Sequence, residues 1–302
     1  MSSRRTRIAS PERSTSPSSK AVPDPIGIAV RAIGYLALLL AFGTAVQALA
    51  DRRPQPRLVS AALILAALAT SLAGMVMLSA AMGGVPPLPV DRALLWTVLT
   101  ETGVGTSYII RFAALGAALV ALALPRGRTL AVAICTAVAL GSLAWAGHGA
   151  VNEGGARIVH LGSTVVHLLA AGVWIGGIAG LLAGLRGPRA AEALHRFGRT
   201  GTLVVAALAV TGIVNLVLIA GADRIADLPG TRYGQVLALK LAAFAAMLAL
   251  AALHRWRLVP RLVAAPHHDA RAALRLSLAS EFLFGCAVLV IVAWLGVLSP
   301  GD

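Results

Sequence analysis

Apolar runs long enough to cross a lipid bilayer recur along this chain, separated by short stretches in which Arg, Pro, Gly and acidic residues gather. A hydrocarbon core of about 30 Å needs about 20 residues of helix. Eight runs meet that length, near residues 25–49, 58–82, 108–125, 129–147, 157–185, 201–222, 233–254 and 277–298. The stretch 83–107 breaks the rhythm. It sets Pro86, Pro87, Pro89, Asp91 and Glu101 around a short apolar piece from Leu94 to Leu99, which predicts an external loop with an interfacial helix. The expected fold class is all-α, a polytopic transmembrane helix bundle of about eight spans covering residues 25–302. A basic Ser/Pro-rich tail over residues 1–24 is expected to be disordered.

Composition agrees with the pattern. Hydrophobic residues make up 58% and charged residues 13% of the chain, and the mean hydropathy is +0.83, well outside the range of a soluble domain. The net charge of +14 is explained by topology, so nucleic-acid binding is an unnecessary reading. Loops one, three, five and seven hold fourteen arginines against three acids, whereas the opposite loops and the C-terminus hold four against six. Positively charged loops stay cytoplasmic. Both termini are therefore expected on the extracytoplasmic side, although Arg4, Arg5, Arg7, Arg13 and Lys20 in the tail point the other way.

Histidine carries the main chemical signal. His160, His167 and Trp174 recur every seven residues in span five, on one helix face at intervals of roughly 10 Å. Two imidazoles that far apart on one helix cannot share a metal through ligand bonds of about 2 Å, so they would serve successive positions along a path. His148 ends span four, and a short Gly-rich hairpin with Asn152 and Glu153 returns the chain to span five. His148 and His160 are thus expected at similar depth near the outer surface, with Glu153 as a possible oxygen donor. An intramembrane histidine is a functional-site hypothesis by default. The competing reading is interhelical hydrogen bonding, for example to Ser163 or Thr164.

Gly172, Gly176, Gly180 and Gly184 form a small-xxx-small series on the same span, which predicts a closely approaching neighbour helix and a central place in the bundle. Met75 and Met82 share a face of the outer half of span two; thioethers suit Cu(I), though core filling is their commoner use. Arg31, Arg111 and Lys240 are expected to snorkel toward the outer headgroups. Glu281 is expected just inside span eight, paired with Arg275 or Arg257, with an ion-pathway carboxylate as the rival. Thr211 and Asn215 suggest interhelical hydrogen bonds. Cys135 and Cys286 lie within spans and form no CxxC motif. No nucleophile, base and oxyanion arrangement and no phosphate loop can be read, so neither an enzyme nor an ATP-driven pump is expected.

Several runs together carry a family resemblance. These are GHGA (147–150), VVHLLAAGVWIGGIAGL (165–181), HRFGRTG (195–201), TGIVN (211–215), YGQVLALKLAAFAAMLALAALHRWRLVPRL (233–262) and LRLSLASE (274–281). In this order they resemble the CopD copper-resistance family, with the best match over residues 147–298 and a looser one through TSYIIRF (106–112). The resemblance implies an eight-span inner-membrane protein of copper homeostasis that moves copper, as Cu(I) or Cu(II), inward from a separate periplasmic CopC-type carrier. On that pattern His148 and His167 are the matching histidines, Trp174 the matching aromatic and Glu281 the matching acid; His254 stands where asparagine is expected. Copper would be received by His148 and His160 and passed inward past His167. A haem-binding electron carrier, which also needs histidines on neighbouring helices, and a ligand-free assembly subunit are the alternatives.

Overall fold

The computed structural model describes residues 24–146, 154–185, 190–258 and 268–298. Its described residues form an all-α polytopic bundle whose order is α1 (Pro25–Ala50), α2 (Arg57–Gly83), α3 (Arg92–Glu101), α4 (Gly103–Ala121), α5 (Arg128–Gly141), α6 (Gly154–Gly184), α7 (Ala190–Ala220), α8 (Arg232–Leu253) and α9 (His268–Leu295). Short 3-10 segments extend α5 (Ser142–Ala146) and join α7 to α8 (Ala222–Gly230), and one π turn (His254–Leu258) extends α8. Among the described residues, eight helices are long and apolar enough to cross a membrane. Only α3, of 10 residues, is too short, and it lies between the second and third spans, where a short helix is expected.

Local sequence sets the helix ends. Asp24 caps α1 by accepting from the amides of Ile26 and Gly27 at 3.0 and 3.1 Å, and Asp91 caps α3 through the amides of Ala93 and Leu94, both at 3.0 Å. Gly84 ends α2 at φ 65°, in the left-handed region that glycine enters without a Cβ penalty. The third span begins earlier than expected, at Gly103, because Thr102 turns the chain out of α3 and caps α4, accepting from the Gly105 amide at 2.9 Å. The sixth and eighth spans also start about nine to eleven residues before their apolar cores, since helix propensity continues past the membrane edge where residues such as Arg196 and Arg275 meet water.

The bundle has two halves. Residues of α1, α2, α4 and α5 share one core around Leu39, Ile64, Leu115 and Leu140, while α6, α7, α8 and α9 share another around Trp174, Ile178, Leu274 and Leu278. The α1–α6 contact joins them. The Gly172 and Gly176 pair makes that contact possible: a Cβ on Gly43 would lie 1.9 Å from the Gly172 carbonyl oxygen, and one on Gly176 would lie 2.3 Å from Gly43. Such backbone-to-backbone approach is the usual way membrane helices gain packing energy in lipid. A Cβ on Gly180 would lie 3.0 Å from the Gln47 side chain, and Gly184 faces open space. Large apolar side chains point outward, among them Leu65, Leu72, Ile213, Leu241 and Leu283, each more than half exposed. In water these positions would be a liability; in lipid they match the solvent.

At the end of the bundle where α1 finishes, Arg196 of α7 donates to Asp51 at 2.6 Å and pairs with Glu192 one turn earlier. Arg128 donates to the Gln55 carbonyl at 3.2 Å. The Arg196–Asp51 link ties the two halves at the arginine-rich face, and the Arg128 link fastens the α1–α2 connection to α5 within the first half.

Candidate functional site

Two adjoining cavities open around α6. The first, of about 310 Å³, is lined by His160, Thr164 and His167 of α6, with Tyr35, Asn215 and Lys240 reaching it from α1, α7 and α8. The second, of about 360 Å³, shares His167 and Lys240 and continues past Trp174, Phe244 and Met247. The seven-residue spacing of His160, His167 and Trp174 therefore becomes a sequence of side chains along two joined spaces. His160 is 2% exposed and Trp174 4% exposed; His167 is half-buried.

The ring of His167 is held by α7. Thr211 directs its hydroxyl hydrogen to the Ala207 carbonyl at 2.5 Å, so its oxygen accepts from Nδ1–H of His167 at 2.9 Å. The Leu208 carbonyl offers the ring a further backbone acceptor. With Nδ1 carrying the proton, Nε2 keeps its lone pair. An outer hydrogen bond of this kind orients and tunes a metal-binding imidazole. Ser163 donates to the Thr211 carbonyl at 3.3 Å and Thr164 to Asn215 Oδ1 at 3.4 Å, which confirms Thr211 and Asn215 as interhelical links. Thr211→Val takes the hydroxyl acceptor from the His167 Nδ1–H and leaves it only the Leu208 carbonyl, and is expected to cost about 1 kcal/mol. Thermal unfolding in detergent checks this, and Thr211→Ser should restore most of the loss.

Among the described residues no acidic side chain lines either cavity, and Lys240 puts an amino group on the shared wall. A cation there has to be held by lone-pair donors, namely imidazole nitrogen and the oxygens of Thr164 and Asn215, and not by carboxylates. Among the described residues no group of three or more His, Cys, Asp or Glu side chains could hold a metal ion. The donor set suits a place where a soft or borderline ion pauses. It does not suit a closed structural metal site, which takes four ligands.

The other expected residues are placed differently. His148 and Glu153, with Asn152, lie outside the described residues. Met75 is buried in α2 and Met82 is 55% exposed; neither lines the histidine cavities. Glu281 is fully buried near the middle of α9, and the Trp174 indole of α6 interacts with its carboxyl group. The expected ion pair with Arg257 or Arg275 does not form: both are exposed, and the ion pairs among the described residues are those of Arg196. His195 is exposed, as expected for the arginine-rich face.

Two cations expected to snorkel do not. Arg111 is 3% exposed, donates from Nε to Ser142 at 3.0 Å and stacks over the Tyr108 ring at 4.6 Å. Packing by α1, α2 and α5 around α4 holds its side chain inside the bundle, against the cavity between α1, α2 and α4. Lys240 faces the shared cavity wall. An ionisable group inside a span was the available signal for both. Arg31 stays half-buried and donates to the Gly296 carbonyl at 3.2 Å.

Comparison with known proteins matches two regions, one over α1–α5 and one over α7–α9. The family model described as Copper resistance protein D-like, N-terminal domain matches residues 22–158, and that for Copper resistance protein D matches residues 191–295. Copper resistance protein D of Pseudomonas syringae pv. tomato is 35% identical over 306 residues, covering 92% of this chain and 97% of that protein. The chain belongs to the copper resistance protein D family. Another relative, inner membrane protein YebZ of Escherichia coli (strain K12), is 30% identical over 218 residues, covering 68% of this chain and 72% of that protein. No solved structure matches. Within this chain, α6 with His160, His167 and Trp174 lies across the segment between the two matched regions.

Proposed function

We propose that this protein is a multi-pass inner-membrane protein that receives copper at its extracytoplasmic face and passes it into the membrane through the His160–His167 cavity. Copper is the cargo here. The observation that carries the reading is the pair of α6 imidazoles lining one cavity, with Nδ1 of His167 engaged by the Thr211 hydroxyl. The names of its relatives, a copper resistance protein and an inner membrane protein, support the metal and the compartment. His148, just before α6 in sequence, and Glu153 would complete the entrance, and a separate CopC-type carrier would deliver the ion. Trp174 and Glu281 continue the line beyond His167. A relay site must bind firmly enough to capture and loosely enough to release, which an incomplete ligand set achieves.

The arginine asymmetry supports placing both termini and the 147–153 connection outside. In that orientation a cysteine replacing Ala222 reacts with a membrane-impermeant maleimide in whole cells, and one replacing Arg53 does not.

Copper accumulation in cells with and without the gene, together with metal analysis of the purified protein, tests the proposal. Copper should bind and its cellular level should change with the gene. A reducible Soret and α band with no bound copper would instead establish the haem alternative, and no ligand at all would establish the assembly-subunit alternative.

A further inference from the structure

A third cavity, of about 310 Å³, lies between α1, α2 and α4 at the end of the bundle where α1 begins. It shares Tyr35 with the histidine cavity but has a different chemistry. Arg111 and Arg31 both line it, with Thr70, Ser71 and Tyr108 adding hydroxyls, and among the described residues no acidic side chain is part of its wall. Arg111 uses Nε on Ser142, yet its Nη2 is buried and makes no hydrogen bond to any described residue. The Arg31 guanidinium is engaged only through one Nη1 contact to the Gly296 carbonyl among the described residues.

Two guanidinium groups on one wall repel each other, and a buried cation without a counter-charge is costly. Water would solvate the donors but leave the charge uncompensated. An oxyanion satisfies both needs, because the planar guanidinium fork presents parallel N–H donors spaced for phosphate oxygens. Arg111 sits about 12 Å along α4 from its start, within reach of a headgroup phosphate entering from that end of the bundle.

We propose that this cavity is a phosphate-binding site, in which Arg111 and Arg31 hold a phosphate group belonging either to a free ion or to an anionic lipid headgroup. Its positive wall excludes copper, so it stands apart from the histidine path. The phosphate group neutralises the two arginines and fixes α1, α2 and α4 against one another.

The test uses the full chain in dodecyl maltoside, which carries no phosphate. One arm adds inorganic phosphate; the other adds phosphatidylglycerol to the micelles. Native mass spectrometry counts bound adducts, and the thermal midpoint reports their effect. Saturable binding of one inorganic phosphate that raises the midpoint supports the free-ion source. One tightly retained phosphatidylglycerol, without binding of inorganic phosphate, supports the lipid source. In either case Arg31→Gln is expected to weaken binding by roughly tenfold or more, the loss of a charge-assisted hydrogen bond. Arg111→Lys, which keeps the charge but loses the fork, is expected to weaken it similarly and guards against a failure of Arg111→Gln to fold. If neither probe binds, or if both bind the Arg31→Gln and Arg111→Lys variants as tightly as the unaltered chain, the site does not exist.

Discussion

A chain carrying His160→Ala and His167→Ala together is expected to lose more than about 100-fold in copper affinity and to stop changing cellular copper. Removing a second-sphere partner of a metal-binding histidine typically costs about 10–100-fold, and here two nitrogen donors of one cavity disappear. The single variants should differ. His167 is held in place by Thr211, so its loss removes an oriented lone pair; His160 lies nearer the entrance and should affect capture more than passage. Competition against a chromophoric Cu(I) chelator reads the affinity, and metal content of washed cells reads the transport. His195→Ala, at an exposed position, and Met82→Leu, on a residue 55% exposed, are the controls expected to leave both unchanged. Unaltered affinity in the double variant would remove the imidazoles from the copper path.

The largest effect on stability is expected at the α1–α6 crossing. Gly176→Val places a branched side chain where even one carbon would lie 2.3 Å from the Gly43 backbone, and Gly43→Val meets the Gly172 carbonyl in the same way. Backbone cannot step aside as a flexible side chain can. Overpacking a well-filled interior costs about 1–3 kcal/mol, occasionally more, and these contacts belong to the upper end. The two halves of the bundle should separate or fail to assemble, visible as loss of the monodisperse peak in detergent and a lower unfolding midpoint. Gly184→Ala, in the same series but facing open space, is expected to be neutral or slightly stabilising, since alanine is the better helix former. Equal damage from Gly184→Ala and Gly176→Val would show that the series acts through helix propensity and not through close approach.

Sequence made the spans legible because a bilayer imposes a length and a hydropathy that few other structures need. The His160, His167 and Trp174 stripe and the Gly172 to Gly184 series were legible for the same reason: helical periodicity places such residues on faces before any neighbour is known. Helix ends were less legible. Beyond the membrane edge the hydropathy signal vanishes while helix propensity continues, so α7 and α9 begin well before their apolar cores. Arg111 and Lys240 were misread because a single helix does not reveal which of its faces meets lipid. Their depth suggested snorkelling; the packing of α1, α2 and α5 around one and the cavity beside the other decided otherwise.

What the chain determines by itself is thus the number of spans, the arginine-rich set of loops, the family and the face of α6 that bears imidazoles. Each follows from local rules of length, charge and a 3.6-residue period. Tertiary structure alone decided that Thr211 of α7 turns the His167 ring, that His160 and His167 open on one space, and that two arginines far apart in sequence line another. Cavities belong to no single helix: they are what several helices leave unfilled when their small residues and large ones meet.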